Sequence, residues 1–231
     1  MNLLLIASDK MEFQGLLARC EQARFATLSV DWSRRARLGT YEVLLAANGV
    51  GARRSGAAVD AASALFAADA MVSLGFCGAL APELGVADIV VATGIAVADG
   101  SFAAQRPATA PAHRAGTVRS LDHVARTAQE KRGLHATGSI AVEMEAAGVA
   151  ARAEALGCPF YCIKAVTDLA GETMANDFNS ALRSDGHFDT IEVLRSSLRH
   201  PLVRLPELFR LRKRCLRAST GLGDFVADCR F

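Results

Sequence analysis

Apolar and polar positions follow two rhythms along the chain, one suited to buried strands and one to amphipathic helices. Asn2-Leu-Leu-Leu-Ile-Ala7 reads as a strand buried on both faces of a sheet. Ser8 and Asp9 then offer caps for a helix over 11–20, with Phe13, Leu16 and Leu17 on one stripe. Strand-like runs follow at 25–30 and 41–47. The second closes in Asn48-Gly-Val-Gly51 and leads to an alanine-rich helix reaching Phe66. Residues 70–74 read as another buried strand, closed by Gly75-Phe-Cys-Gly78, and 88–97 as a further one rich in Val and Ile. Periodicity is lost over 98–118, which predicts a loop. A helix is expected over 122–133 and a strand over 139–142. Ala146, Val149, Ala150 and Ala153 then recur at helical spacing before Gly157, a C′ glycine. Pro159 opens a strand through Val166 that ends in Thr167-Asp168. Alternating strands and helices predict a three-layer α/β/α fold around a central mixed, largely parallel sheet.

Residues 1–190 form the body of this pattern, and 191–231 a basic amphipathic helical tail, part of the same domain or appended to it. Between Leu194 and Arg217 lie Arg195, Arg199, Arg204, Arg210, Arg212, Lys213, Arg214 and Arg217, with Glu207 the only acid. Leucines and Val203 fall between them, in a helix or helix pair broken at Pro201 and Pro206. A solvated outer helix is the plain reading, and a face for a membrane surface or an acidic partner the sharper one. The whole chain is close to neutral, at +2, which argues against a dedicated nucleic-acid binder and against disorder. Apolar runs fall short of a membrane span, and no secretory signal pattern is evident. Cys20, Cys77, Cys158, Cys162, Cys215 and Cys229 form no CxxC pair, and no histidine sits near enough for a zinc site. Reduced, mostly buried thiols in a cytoplasmic protein are expected, with no metal.

Ligands of open α/β sheets bind beyond the carboxyl ends of the strands. That rule collects Asp9 and Glu12, the turns at 48–51 and 75–78, Glu143 to Glu145, and Asp168. The glycine turns would present backbone N–H groups to an anion or a polarised water, and the carboxylates would bind sugar hydroxyls or exchange protons. Each feature has a plainer reading. Glu12 lies in a first helical turn, where acids are favoured anyway. Gly49 and Gly51 lack the rest of a dinucleotide fingerprint. Glu143 and Glu145 cannot both face one way, so one of them caps. Asp168 suits an N-cap, and Cys77 a packed hydrophobe. The five histidines form no triad.

Three motifs narrow these readings. Ala141-Val-Glu-Met-Glu-Ala-Ala147, Ile163-Lys-Ala-Val-Thr-Asp-Leu-Ala170 and Ser73-Leu-Gly-Phe-Cys-Gly-Ala-Leu-Ala-Pro82, the last followed by Gly85-Val-Ala-Asp-Ile-Val-Val91, resemble motifs of the purine nucleoside phosphorylase and 5′-methylthioadenosine nucleosidase superfamily. Glu145 and Asp168 stand 23 positions apart, as in that family. Residues 2–190 carry the resemblance. Glu130-Lys-Arg-Gly-Leu-His-Ala-Thr-Gly138 and the basic tail look closest to hopanoid-associated phosphorylases, which are thought to remove adenine from adenosylhopane.

The resemblance implies cleavage of the N-ribosyl bond of an adenosine-like nucleoside, by phosphorolysis or hydrolysis. Inorganic phosphate would be the only co-substrate and no cofactor would be needed. Asp168 would protonate the purine at N7, Glu145 would take the ribose hydroxyls, and Met144 would pack on the sugar. Glu12 holds the position that activates water in nucleosidases. Gly78, Cys77 and Phe76 would offer N–H groups, and Glu143 would lie beside the ribose. The stretch Asp122-His123-Val124 would read the base through its backbone and an apolar stack. Lys164 stands where the family has arginine near the nucleophile, Thr167 stands for serine, and Val124 or His123 for an aromatic stacker. Arg53 and Arg54 suit either phosphate or a solvated helix start. A homo-oligomer is implied, as is the alternative of a non-catalytic nucleoside-binding protein.

Overall fold

The N-terminal apolar run forms β1 (Asn2–Ala7), and its two faces feed two different cores. In the computed structural model, which describes residues 1–183 and 185–231, a 3-10 turn (Lys10–Phe13) and α1 (Gln14–Leu17) follow. Then come β2 (Glu21–Phe25), β3 (Trp32–Leu38), β4 (Tyr41–Ala47) and α2 (Ala52–Ser63). The middle of the chain holds β5 (Ala70–Ala79), β6 (Ile89–Val97), β7 (Gly100–Ala103), β8 (Arg114–Ser120), α3 (Ala128–Ala136) and β9 (Ser139–Glu143). The remainder is α4 (Ala146–Ala155), β10 (Phe160–Asp168), α5 (Phe178–Ala181), α6 (Thr190–Ser197) and α7 (Pro201–Asp228).

The sheet runs β10-β6-β8-β9-β5-β1-β4-β3-β2, with β7 on β6. Because β10 also pairs with β5, the strands β5, β10, β6, β8 and β9 close into a ring. The sheet is mixed, as expected. Parallel pairings join β1 to β4 and β5, β5 to β10, and β8 to β6 and β9, while β2, β3 and β4 form an antiparallel edge. One face packs Leu4 and Ile6 against α2 and α4 through Ala58, Val59, Ala62, Ala146, Val149 and Ala150. The other packs Leu3 and Leu5 against Phe13, Leu16 and the second half of α7, through Ala218, Leu222, Phe225 and Val226. The C-terminal part of the tail is therefore core.

Several expected elements differ. The 11–20 helix shrinks to the 3-10 turn and α1, because Gly15 lies backbone to backbone against α7. A Cβ there would sit 2.0 Å from the Ser219 carbonyl oxygen. The strand expected at 25–30 is displaced to β2, all of whose residues are exposed, so no apolar pattern marks it. The 98–118 loop contains β7 and the start of β8, a mostly exposed segment held by main-chain pairing. The helix expected from 122 begins at Ala128, where Thr127 Oγ1 accepts from the Glu130 N–H. The tail breaks before Pro201 but not at Pro206, which sits inside α7. The N–H it lacks would have served the carbonyl of Leu202, the most exposed large apolar residue among those described, so the missing bond falls on the solvent side of the helix.

Candidate active site

A cavity of about 390 Å³, within the range of small-molecule sites, opens where β1, β4, β5, β9 and β10 end. Glu12 enters it from the turn after β1. Its Oε2 accepts from Ser8 N (2.8 Å), Ser8 Oγ (2.8 Å) and Asp9 N (3.0 Å), and its Oε1 accepts from Phe76 N (2.7 Å). Glu12 is thus both the acid of a capping box and a cavity wall. Gly75 makes the contact with β5 fit. At φ +142° its missing Cβ would lie 2.3 Å from Glu12 Oε1.

Glu143 and Glu145 divide the work expected of them. Glu143 Oε2 accepts from the Glu145 N–H (2.9 Å) and the Ala146 N–H (2.7 Å), capping α4. Glu145 instead reaches across to the glycine turn after β4, where Oε1 accepts from Gly51 N (3.1 Å). Burial pushes the Glu145 carboxyl up to about 7. Lys164 opposes that rise, and Glu143 and Glu12 reinforce it. Lys164, expected near the nucleophile, does not reach the cavity. It is fully buried, with Nζ 3.0 Å from Glu143 Oε2 and 3.9 Å from Glu145 Oε2. Burial alone would lower its ammonium, but Glu143 and its neighbours outweigh that and hold it raised. Its role is to balance charge beneath the acids.

Asp168 at the end of β10 is not an N-cap. Its Oδ2 pairs with Lys131 Nζ, and its Oδ1 accepts from Thr167 Oγ1 (3.1 Å). Lys131, fully buried, also donates to the Leu169 carbonyl (2.9 Å). Burial raises the Asp168 carboxyl above its ordinary value, against the pull of Lys131. Sequence reasoning missed Lys131, because a lone lysine on a polar helix resembles any solvated one.

The opposite wall carries His123, Val124 and Ala125. His123 is clamped between Asp122 (2.7 Å) and Glu130 (2.8 Å), and the Asp122 hydrogen bond, followed by that of Glu130, raises its imidazole. The Val124 backbone, expected to read the base, is already engaged. Its N–H donates to Asn179 Oδ1 (2.7 Å) and its carbonyl accepts from Asn179 Nδ2 (2.9 Å). A base read there must displace Asn179, whose carboxamide presents the same acceptor and donor order as the amidine edge of adenine. Phe76, Cys77, Gly78, Met144 and Thr167 complete the inner walls. Burial drives the Cys77 thiol far above its ordinary value, so it is no nucleophile. Met174, Phe178, Phe188, Val193, Leu211 and Cys215 form an apolar outer half that no motif announced. Arg54 serves structure, holding the Asn48 carbonyl and Asp31, and neither it nor Arg53 lines this cavity. Among the described residues, no cluster of His, Cys, Asp and Glu is placed to hold a metal.

A 5′-methylthioadenosine/S-adenosylhomocysteine nucleosidase of Anoxybacillus flavithermus is 30% identical over 173 residues, covering 61% of this chain and 74% of that protein. Among solved structures, the corresponding nucleosidase of Neisseria meningitidis, in complex with methylthio-immucillin-A, superposes with a TM-score of 0.73 at 20% identity. That match covers 98% of this chain and 97% of the other. The futalosine hydrolase of Helicobacter pylori gives 0.70 at 14% identity, over 98% and 95%. The family model of the phosphorylase superfamily matches residues 4–123 and 101–190. With more than half of the sequence matched and the same architecture throughout, the chain belongs to the phosphorylase superfamily.

Proposed function

We propose that this protein is a nucleosidase that hydrolyses the N-ribosyl bond of an adenosine-like purine nucleoside and releases adenine. One observation carries the choice of water over phosphate. Among the described residues lining the cavity, Glu12, Glu143, Glu145 and Asp168 are acids and none is Lys or Arg. A phosphate dianion would meet carboxylates with no fork of donors to receive it, whereas water meets an acceptor. Glu12 Oε1 takes one hydrogen bond and keeps a lone pair for an attacking water. As the bond to the base breaks, positive charge grows on the ribosyl carbon, and the surrounding carboxylates favour it. Asp168, raised by burial, gives its proton to the departing purine at N7, and Lys131 then balances the carboxylate left behind. Glu145, as carboxylate, accepts from the ribose hydroxyls over Met144.

The apolar outer half suits a nonpolar 5′ substituent. A methylthio group fits that description, and so does the hopane tail of adenosylhopane, which the tail and the 130–138 segment suggest. Incubation with 5′-methylthioadenosine, adenosine and a nucleoside bearing a long apolar 5′ chain, each with and without inorganic phosphate, tests the reading. Adenine and free sugar should appear at a rate indifferent to phosphate. Ribose 1-phosphate products would overturn hydrolysis. Binding with no base release from any of the three would assign the chain to non-catalytic nucleoside binding.

A further inference from the structure

Of the eleven large apolar side chains exposed among the described residues, seven fall within 191–216. Single exposed leucines need no explanation, but a concentration of this kind does. Ile191, Leu194 and Leu198 recur at helical spacing on one face of α6 and its C-cap, while Val193 on another face lines the cavity. On α7, Leu202, Phe209 and Leu216 recur every seven positions, at 92%, 71% and 43% exposure. The side of α7 that carries Cys215, Ala218 and Leu222 is buried, so the exposed row belongs to a second face.

The same stretch is strongly cationic. Residues 191–217 hold eight Lys or Arg against Glu192 and Glu207. Glu207 is already engaged by Ala175 N (2.9 Å) and by Asn176 N (2.8 Å) and Nδ2 (2.6 Å). Arg210, Arg212, Lys213 and Arg217 flank the apolar row, and all are exposed. No helix among the described residues is long and apolar enough to cross a membrane. A face that is apolar along its row and basic at its margins suits the plane of a bilayer surface.

We propose that the outer face of α6 and α7 docks on an anionic lipid bilayer, with the apolar row in the headgroup–acyl boundary and the flanking cations on lipid phosphates. A second copy of the chain fits less well, because a two-fold contact would set the cation row against itself. A nucleic acid would leave the leucines without a partner. Docking does not rest on the proposed reaction. It would bring the cavity, rimmed by Val193 and Leu211 of the same helices, to the membrane surface.

Co-sedimentation of the full chain with vesicles of equal parts phosphatidylglycerol and phosphatidylcholine, and with pure phosphatidylcholine vesicles, tests this. Binding should require phosphatidylglycerol and fall at high salt. Leu202→Gln with Phe209→Gln should weaken partitioning at least ~10-fold. Arg212→Gln with Lys213→Gln should weaken it roughly 25-fold. None of the four residues lines the cavity, so thermal melting and hydrolysis of a soluble nucleoside should be unchanged. Melting remains the fold control if no nucleoside is cleaved. Absence of the wild type from the anionic pellet, or equal sedimentation of wild type and variants, would overturn the proposal. So would a dimer in sedimentation velocity that the Leu202 and Phe209 substitutions dissolve without any vesicle binding.

Discussion

Asp168 and Lys131 are buried together, so neither can be changed without stranding the other. Asp168→Asn removes the proton donor and should lower kcat at least ~100-fold, a usual scale for general acid catalysis. It also leaves a fully buried ammonium facing an amide that can never ionise to balance it, so stability should fall as well wherever the wild-type carboxyl is ionised. Lys131→Met strands the carboxylate instead, raises its proton affinity further, and should shift the alkaline limb of the kcat profile to higher pH. The double variant contains no orphan charge and should be more stable than either single one. Urea denaturation of the four proteins closes the cycle, and additive losses would mean that the pair is not coupled. The acid of this pair was legible in the sequence, because Thr167-Asp168 ends an apolar strand and sits at a recognisable distance from Glu145. Its partner was not, since the contact spans 37 positions and joins two elements with no shared pattern. Phe178 and Phe188, which supply aromatic surface to the outer half of the cavity, were hidden for the same reason.

At the level of elements, what could be read followed burial. Strands β1, β5 and β10 sit in the sheet interior and announce themselves as continuous apolar runs, whereas β2 and β7 lie at exposed edges and carry no period-2 signal. Closure of the ring by β10 against β5 has no local trace, because both strands are apolar on both faces whichever neighbour they choose. The docking of α7 on α1 was equally silent. Glycines in a basic helix suggest weakness, yet Gly223 is a site of contact: a Cβ there would lie 2.1 Å from the Gly15 carbonyl carbon. Gly221, two residues away, would meet only the Ala87 carbonyl oxygen at 3.8 Å. The two positions should therefore respond oppositely to alanine. Gly221→Ala should stabilise by up to ~1 kcal/mol through helix propensity. Gly223→Ala should cost ~1–3 kcal/mol by forcing α7 off α1. Because Glu12 lies in the turn that leads into α1, kcat/KM should fall in the second variant and hold in the first. Denaturation midpoints and initial rates for the pair check this, and equal responses would contradict the packing.

For the molecule as a whole, near-neutrality conceals a segregated charge pattern, with acids gathered around the cavity and cations on α7. Concentrating carboxylates in a buried space has a thermodynamic signature. Burial first, then Glu143 and Glu12, lift Glu145 from 4.5 to about 7 against Lys164. Between those values the unfolded chain has released the proton while the folded protein keeps it. Stability tied to this group is therefore complete below about 4.5 and declines as pH rises to 7, by ~3 kcal/mol at 1.36 kcal/mol per pH unit. Asp168 acts in the same sense, but it is present in both proteins when wild type is compared with Glu145→Gln, so its contribution cancels. Glu172 acts in the opposite sense. The Arg214 hydrogen bond holds it at about 2, so its contribution changes only as pH falls from 4.5, below the window. Urea denaturation of both proteins across pH 4.5–7 should thus show wild type losing ground to Glu145→Gln as pH rises. Activity should move the other way, with kcat/KM of the wild type increasing through pH 7 as the carboxylate needed by the ribose hydroxyls forms. Parallel stability curves for the two proteins would show that Glu145 ionises as an ordinary carboxylate and that Lys164 already balances the acids around it.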